Sequence, residues 1–309
     1  MADQVVDPPD PQGRLTTTTT PTGSQKASLL ERLSRLNWGE PPNEVFHYTD
    51  WLGLKGIVET GSIWATERTF LNDRSERDHA LNIVQRFLRE LGEGDENHTF
   101  VPTLVVGNYL QGKLFVTSFS EAQDSLGMWR GYGPVGGGFA IGRELRCSSK
   151  AILGKVTYSN SLNATTAAEL RTRWSEIDHS IPGEAISQVA EWTTELLCFT
   201  LLLKHPAFVE EREWRLVVRD PIDGSLVGKL REAGNGRSPK LYVELRPEPI
   251  ATKIIGLNTC RRLPISSIHI GPTESPAESS VLVEWLLRSH GYDLGEIQIR
   301  ESEVPYRTT

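Results

Sequence analysis

Residues 211–218 read Glu-Arg-Glu-Trp-Arg-Leu-Val-Val. Two acids and two arginines crowd the head of an apolar, β-branched run. A strand here sends alternate side chains to opposite faces. Glu211, Glu213, Arg215 and Val217 then share one face, and Trp214, Leu216 and Val218 share the other. An acid at the head of a buried strand is costly unless something pairs with it or uses it. One reading is a Glu–Arg ion pair at a sheet edge. The other is a working carboxylate, with Glu213, next to the apolar run, ahead of Glu211.

Three further segments carry chemically useful residues. In Phe46-His47-Tyr48-Thr49, alternation puts His47 and Thr49 on one face, where each offers a directed hydrogen bond to a ligand. The same pattern fits a core histidine satisfied by backbone. In Phe70-Leu71-Asn72-Asp73-Arg74-Ser75-Glu76, Asn72 or Asp73 caps the helix that follows, and Glu76 completes a capping-box-like pair with Asp73. A functional reading sets Asn72 and Asp73 on a loop lining a pocket. Asp73, Glu76 and His79 also have helical metal-ligand spacing, a pattern common on solvated faces. Beyond Ser118-Phe119-Ser120, the segment Met128-Trp129-Arg130-Gly131-Tyr132-Gly133 alternates aromatics with arginine and glycine. It suits either a wall that stacks on a planar ring or an aromatic cluster under a turn. The glycine triplet at 136–138 matches neither a dinucleotide nor a P-loop spacing. The G-x-S-x-G elbow, H-E-x-x-H and the Walker lysine are all missing, which argues against a serine hydrolase, zincin or P-loop enzyme.

The elements that must position these groups follow from periodicity. Strands are expected at 45–49, 63–66, 114–119, 139–141, 156–158, 213–218, 241–245, 253–257, 265–270 and 296–300. Asp50 and Gly61 bracket a helix. Ala80, Ile83, Val84, Phe87, Leu88 and Leu91 form the apolar stripe of another, stopped by Gly92. Two helices broken near Pro182 occupy about 164–204, and one more spans 277–290. Strands and helices mix without strict alternation, which predicts an α+β fold with a mixed, largely antiparallel sheet and flanking helices. Residues 1–26, with Thr16 to Thr20 in a row and Asp-Pro-Pro-Asp-Pro, have the composition of a disordered tail. Residues 27–43 read as a linker carrying a short amphipathic helix (Leu29, Leu30, Leu33, Leu36). Residues 44–305 form one domain, with 164–204 as a helical insertion.

The 309 residues carry a net charge of -7, with 38% hydrophobic and 24% charged. That is soluble globular composition without the basic surplus of a general nucleic-acid binder. The longest apolar run, Leu196–Leu203, falls well short of the ~20 residues that span a membrane. Cys147, Cys198 and Cys260 have neither disulfide-framework nor zinc spacing, which fits a reducing cytoplasm.

Taken in order, the motifs resemble a bacterial family of domains of unknown function. They are His47-Tyr48-Thr49, Phe70 to Glu76, Ser118-Phe119-Ser120, Met128 to Tyr132, Gly138 to Ile141, Lys204 and Glu211 to Arg215. A more remote likeness is to ADP-ribosyltransferases of the His-Tyr-Glu type: an opening strand with His and Thr, a helix ending in Gly, and a glutamate heading a late strand. That likeness implies an ADP-ribosyltransferase-like split sheet and NAD as co-substrate, with no metal. His47 would bond the nicotinamide ribose, and Trp129 or Tyr132 would stack on nicotinamide. Glu213 would hold the ribose hydroxyl and polarise the acceptor. Tyr48, Thr49, Asn72, Arg130 and Arg215 would line the nucleotide site. The activity implied is an ADP-ribosyltransferase or NAD glycohydrolase of bacterial defence or toxin type. Its partners would be a small-molecule nucleotide and a macromolecular acceptor, with no membrane. Two other classes compete: a metal-dependent nuclease using Asp73, Glu76, Glu211 and Glu213, and a non-catalytic nucleotide-sensing module. The transferase reading requires His47 and Glu213 to face one cleft.

Overall fold

The computed structural model describes residues 40–71, 74–92, 114–134, 137–145, 151–178, 182–219, 229–231, 239–246 and 262–305. The expected tail at 1–26, most of 27–43, Asn72, Asp73, the strand at 253–257, Cys147 and Cys260 lie outside the described residues.

The chain opens with β1 (Val45–Thr49), α1 (Trp51–Thr60), β2 (Ile63–Glu67) and α2 (Arg74–Gly92). Next come β3 (Leu114–Ser120), α3 (Leu126–Tyr132), β4 (Phe139–Arg143), β5 (Ala151–Lys155) and β6 (Thr157–Tyr158). Helices α4 (Ala164–Ser175) and α5 (Pro182–Thr200) lead to β7 (Leu203–Lys204), a 3-10 turn (Pro206–Glu211) and β8 (Glu213–Arg219). The remainder is β9 (Lys229–Arg231), β10 (Lys240–Leu245), β11 (Ser267–Ile270), α6 (Pro276–Ser289) and β12 (Gln298–Glu301).

Among the described residues, ten strands make one sheet, and β6 and β7 make a second, two-stranded one. The fold is α+β, and its large sheet is antiparallel except where β11 runs parallel to β12. Strand β3 is the branch point. It pairs with β1 at Phe46↔Ser120 and with β2 at Thr66↔Val116. Along its whole length, from Leu114↔Arg219 to Ser120↔Glu213, it pairs with β8. Strand β5 then pairs with β8. This corrects the edge placement of residues 213–218, because β8 has a neighbour on both sides. Strand β5 escaped the sequence pattern: Ala-Ile-Leu-Gly-Lys contains one β-branched residue and a glycine, and only its pairing with β8 makes it a strand.

Residues directly opposed across a ladder share a face. Phe46, Ser120 and Glu213 are therefore on one face, as are Ser118 and Arg215. On that face, Val116, Val217 and Ile152 pack under α2, α4 and α5 with Val84, Leu170, Trp192 and Leu196. A smaller cluster of Phe46, Tyr48, Met128, Trp129 and Ala140 lies beside α3. The opposite face carries Val45, Phe119, Ile141, Trp214 and Ile268 under α1 and α6.

Helix α1 forms where expected and for the expected reasons. The Asp50 carboxylate accepts from the Gly53 N–H at 2.7 Å. Gly61 at φ 62° ends the helix in the left-handed region, which glycine adopts without penalty. Leu54, Ile57 and Val58 are its buried stripe. Replacing Asp50 with Ala removes that cap and should lower stability by about 1 kcal/mol. A urea titration that reads the same midpoint for Asp50→Ala and wild type contradicts this account of the helix.

Candidate functional site

The polar centre of the molecule is a lysine. Lys204 ends the apolar run Leu201-Leu202-Leu203, and the two-residue strand β7 carries its side chain inward to 1% exposure. Its ammonium meets three carboxylates: Glu76 Oε1 at 2.7 Å, Glu211 Oε2 at 2.5 Å and Glu213 Oε2 at 3.2 Å. Arg215 lies alongside. It donates to Glu213 through Nε at 2.7 Å and Nη2 at 2.9 Å, to Glu76 through Nη2 at 2.8 Å, and to the Leu201 carbonyl through Nη1 at 2.8 Å. The two-pronged contact with Glu213 uses the planar fork that only arginine offers.

Four separate pieces of chain deliver these groups. Glu76 comes from the first turn of α2, where a carboxylate also suits the helix dipole. Lys204 comes from β7, and Glu213 and Arg215 from alternate positions of β8. Glu211 ends the 3-10 turn, one residue before Arg212, which sits at φ 44° in the left-handed region. A non-glycine residue there is strained, by roughly 1–2 kcal/mol. The strained turn lets both acids of Glu-Arg-Glu reach the same ammonium. Expected alternation therefore holds from Glu213 onward, whereas Glu211 arrives by a turn.

Tyrosines and serines complete the cluster. Tyr132, from the end of α3, donates to Glu211 Oε2 at 3.0 Å. Tyr158 accepts from the Glu213 N–H at 2.7 Å. Ser120 donates to the Glu211 carbonyl at 2.6 Å, and Ser118 supports the Glu213 carboxylate. Burial alone would raise Glu213, but Arg215 and Lys204 outweigh it and hold the carboxyl below its usual range. Burial would likewise lower Lys204, and the surrounding charges, Glu213 first, keep it above its usual range. Burial pushes the Tyr158 hydroxyl up to about 12. A small cleft, open to solvent, adjoins the cluster and is lined by Arg68, Leu71, Glu76, Arg77, Leu201 and Arg215.

Of the residues singled out from sequence, Glu213, Arg215, Tyr132, Glu76 and the reserve acid Glu211 come together. His47 does not join them. It opposes Ile141 across the β1–β4 ladder, so it lies on the face away from Glu213, near the Phe119 ring at 5.8 Å. Its Nδ1 bonds the Ser118 carbonyl at 2.9 Å, and burial holds it below its usual range. His47 and Glu213 therefore do not face one cleft, and the condition set by the His-Tyr-Glu transferase reading is not met. Strand parity puts Phe46, not His47, on the side of Glu213. Thr49 shares the face of His47. Tyr48 is on the cluster's face but donates to the Ala122 carbonyl at 2.6 Å and packs edge-on to Trp129. Trp129 is buried and donates to Asp124 Oδ1 at 2.6 Å, so it fills a core instead of offering a free stacking wall. Arg130 is exposed on α3.

The metal-site expectation for the acids has a clear geometric outcome. Glu76, Glu211 and Glu213 converge, and an ammonium occupies the point of convergence. Among the described residues, no group of three or more His, Cys, Asp or Glu could hold a metal ion. The sequence pattern around Lys204 and Tyr158 gives neither a chemical role by itself. The readable signal for Lys204 was a lone cation terminating a four-residue run that is otherwise leucine.

Two outcomes follow from the charge network. Glu213→Gln strips Arg215 and Lys204 of a shared counter-ion and should cost about 3 kcal/mol or more, measured by chemical denaturation. The depressed carboxyl of Glu213 contributes stability that is complete above its ordinary value of 4.5 and is lost as pH falls through its lower folded value. The wild type should therefore lose stability steeply below about pH 4.5, and Glu213→Gln should show a shallower slope there. Parallel pH profiles for the two proteins refute this assignment.

The comparison with known proteins adds one finding. No curated protein matches the chain, and no solved structure matches it. Residues 128–216 match the family model described as protein of unknown function, DUF2971. The matched stretch runs from α3 into β8 and contains Tyr132, Tyr158, Lys204, Glu211, Glu213 and Arg215, every group of the cluster named above except Glu76 and the two serines.

Proposed function

We propose that the Lys204-centred cluster is the site of an NAD-consuming glycosyl transfer, either ADP-ribosyl transfer to an acceptor or NAD hydrolysis. Glu211 is the observation that carries this reading. Its carboxylate is held by Lys204 at 2.5 Å and by Tyr132 at 3.0 Å, and Tyr132 is 39% exposed. Glu211 is thus the acid of the pair at the solvent rim. Glu213 is 4% exposed, and its oxygens are committed to Arg215, Lys204 and Ser118. The working role expected for Glu213 therefore passes to Glu211, and Glu213 becomes a positioning residue.

The chemistry suits such a site. The bond between the ribose anomeric carbon and nicotinamide nitrogen breaks, nicotinamide leaves neutral with the bonding pair, and positive charge develops on the ribose. Three carboxylates against two cations leave these five groups one negative charge in excess. A fixed carboxylate in a partly desolvated site stabilises that developing charge. The acceptor oxygen or nitrogen, or water, then bonds to the anomeric carbon and releases its proton. Tyr132 offers an aromatic edge for the nicotinamide. His47 lies on the opposite face of the sheet, which removes the His-Tyr-Glu arrangement that the transferase likeness required. What is proposed is NAD glycosyl transfer resting on the acids and the tyrosine alone. It is a reading of a cytoplasmic enzyme of defence or toxin type. Among the described residues, no helix is long and apolar enough to cross a membrane.

The full commitment of Glu213 favours a second reading, a module that binds a nucleotide at this rim without turning it over. Nicotinamide release by wild type, Glu211→Gln and Glu213→Gln separates the two. The enzyme reading expects Glu211→Gln to lose ~100-fold or more in rate while still unfolding cooperatively, at a midpoint well above the assay temperature. Nicotinamide release at background from both wild type and Glu211→Gln, across protein, nucleic-acid and water acceptors, sinks the enzyme reading. Saturable nucleotide binding without release then supports the sensing module.

A further inference from the structure

The cleft beside the charged cluster carries positive charge that the cluster does not use. Its charged lining is Arg68, Glu76, Arg77 and Arg215. Glu76 is spent inward, with one carboxylate oxygen on Lys204 at 2.7 Å and the other on Arg215 at 2.8 Å. Arg215 is spent as well, on Glu213, Glu76 and the Leu201 carbonyl. Arg68 and Arg77 line the cleft from outside that network.

We infer that this cleft seats the phosphate group of a small ligand, held by Arg68 and Arg77. The two arginines supply different halves of the seat. Arg68 opens the 3-10 turn Arg68–Phe70 that follows β2, and its side chain is 3% exposed. A guanidinium keeps its charge throughout the pH range of a folded protein, and burial fixes this one in the wall. The Glu67 carboxylate stands 3.9 Å from its Nε, at the long end of an ion pair. That carboxylate also accepts from the Thr69 N–H at 2.9 Å and from the Thr69 hydroxyl. Arg77 follows Glu76 on α2 and is the adaptable half. Its Nε is 3.6 Å from Asp78, and both side chains of that pair are exposed. Such a surface pair contributes little, so Arg77 is free to exchange Asp78 for a bound anion.

The remaining walls include Leu71, Ala80, Leu81, Leu201 and Leu203. A guanidinium holds an anion more strongly against apolar walls than in open water, because the local dielectric is lower. The donors select phosphate over carboxylate. One arginine fork satisfies a carboxylate, with its two oxygens and single charge. Two guanidinia suit a phosphate monoester, with three acceptor oxygens and about two charges. The whole chain sets the size of the ligand. A net charge of -7 repels a long polyanion, whereas one phosphate answers to the field within about 10 Å. The inference stands apart from the glycosyl-transfer reading, because neither arginine has a part in that chemistry and binding is read without turnover.

Calorimetric titration of the full chain with inorganic phosphate, ADP and acetate tests it, on wild type, Arg77→Gln, Arg68→Lys and Arg288→Gln. Wild type should bind phosphate saturably, and acetate about tenfold more weakly or worse. Arg77→Gln should weaken phosphate binding about tenfold or more with its unfolding midpoint unchanged. Arg68→Lys keeps the buried charge but loses the fork, and should weaken binding likewise. Arg288→Gln, an exposed change on α6, should bind as wild type does. ADP bound more tightly than phosphate, through the same two arginines, assigns the phosphate to a nucleotide, and ADP bound no more tightly assigns it to a free ion. Three outcomes overturn the inference: no saturable phosphate or ADP binding by wild type at millimolar concentration, acetate bound as well as phosphate, or Arg77→Gln binding as wild type does.

Discussion

A buried ammonium surrounded by three carboxylates is the constraint around which this molecule is organised. Taking Lys204 out of water costs several kcal/mol unless counter-charges meet it in good geometry. Here Glu76, Glu211 and Glu213 meet it within 3.2 Å, and Arg215 offsets part of the surplus of acid. The requirement ties α2, β7, the 3-10 turn and β8 to one point. Elements distant in sequence must arrive together, and removing one partner leaves another stranded in a medium that does not solvate it.

The branching of the sheet at β3 gives that point its position. Because β1 and β2 both attach to β3, while β8 and β5 extend from it separately, the head of β8 lies near the centre of the assembly. The helices over the same face then divide it. Helices α2, α4 and α5 seal an apolar core over Val116, Val217 and Ile152, and α3 seals an aromatic one over Phe46 and Tyr48. The charged cluster is the seam between those two cores. Tyr132, at the last position of α3, closes the seam on its solvent side and hands Glu211 its hydrogen bond.

The division of labour between the two acids follows from this packing. Glu213 is inside the strand ladder and spends its lone pairs on Arg215, Lys204 and Ser118, which makes it a brace. Glu211 precedes the ladder and is turned toward the rim by the left-handed Arg212. A strained non-glycine residue at the junction between brace and rim is the kind of local cost that folded proteins retain where geometry matters more than propensity. The same economy explains why Trp129 and Tyr48 are unsuited to a ligand-stacking role, since their polar atoms are already used to stitch α3 to the sheet.

Much of the local structure was legible in the sequence, because it depends on short-range rules. Asp50 and Gly61 bracket α1, the stripe from Ala80 to Leu91 marks α2, and alternation from Glu213 to Val218 marks β8 with its faces correctly divided. The concentration of chemistry at Glu-Arg-Glu-Trp-Arg was also visible, since unpaired charge at the head of an apolar strand demands an explanation. Pairing was not legible. Strand β5 exists because β8 lies beside it, and His47 faces away from Glu213 because its neighbour Phe46, and not His47 itself, is in register with Ser120. A one-residue difference in register reverses every side chain, and nothing local to Phe46-His47-Tyr48-Thr49 encodes it. The sequence by itself determined which residues had to be charged, capped or apolar. Only the tertiary structure decided which of them meet, because the burial of Lys204 is a property of four distant segments acting at once.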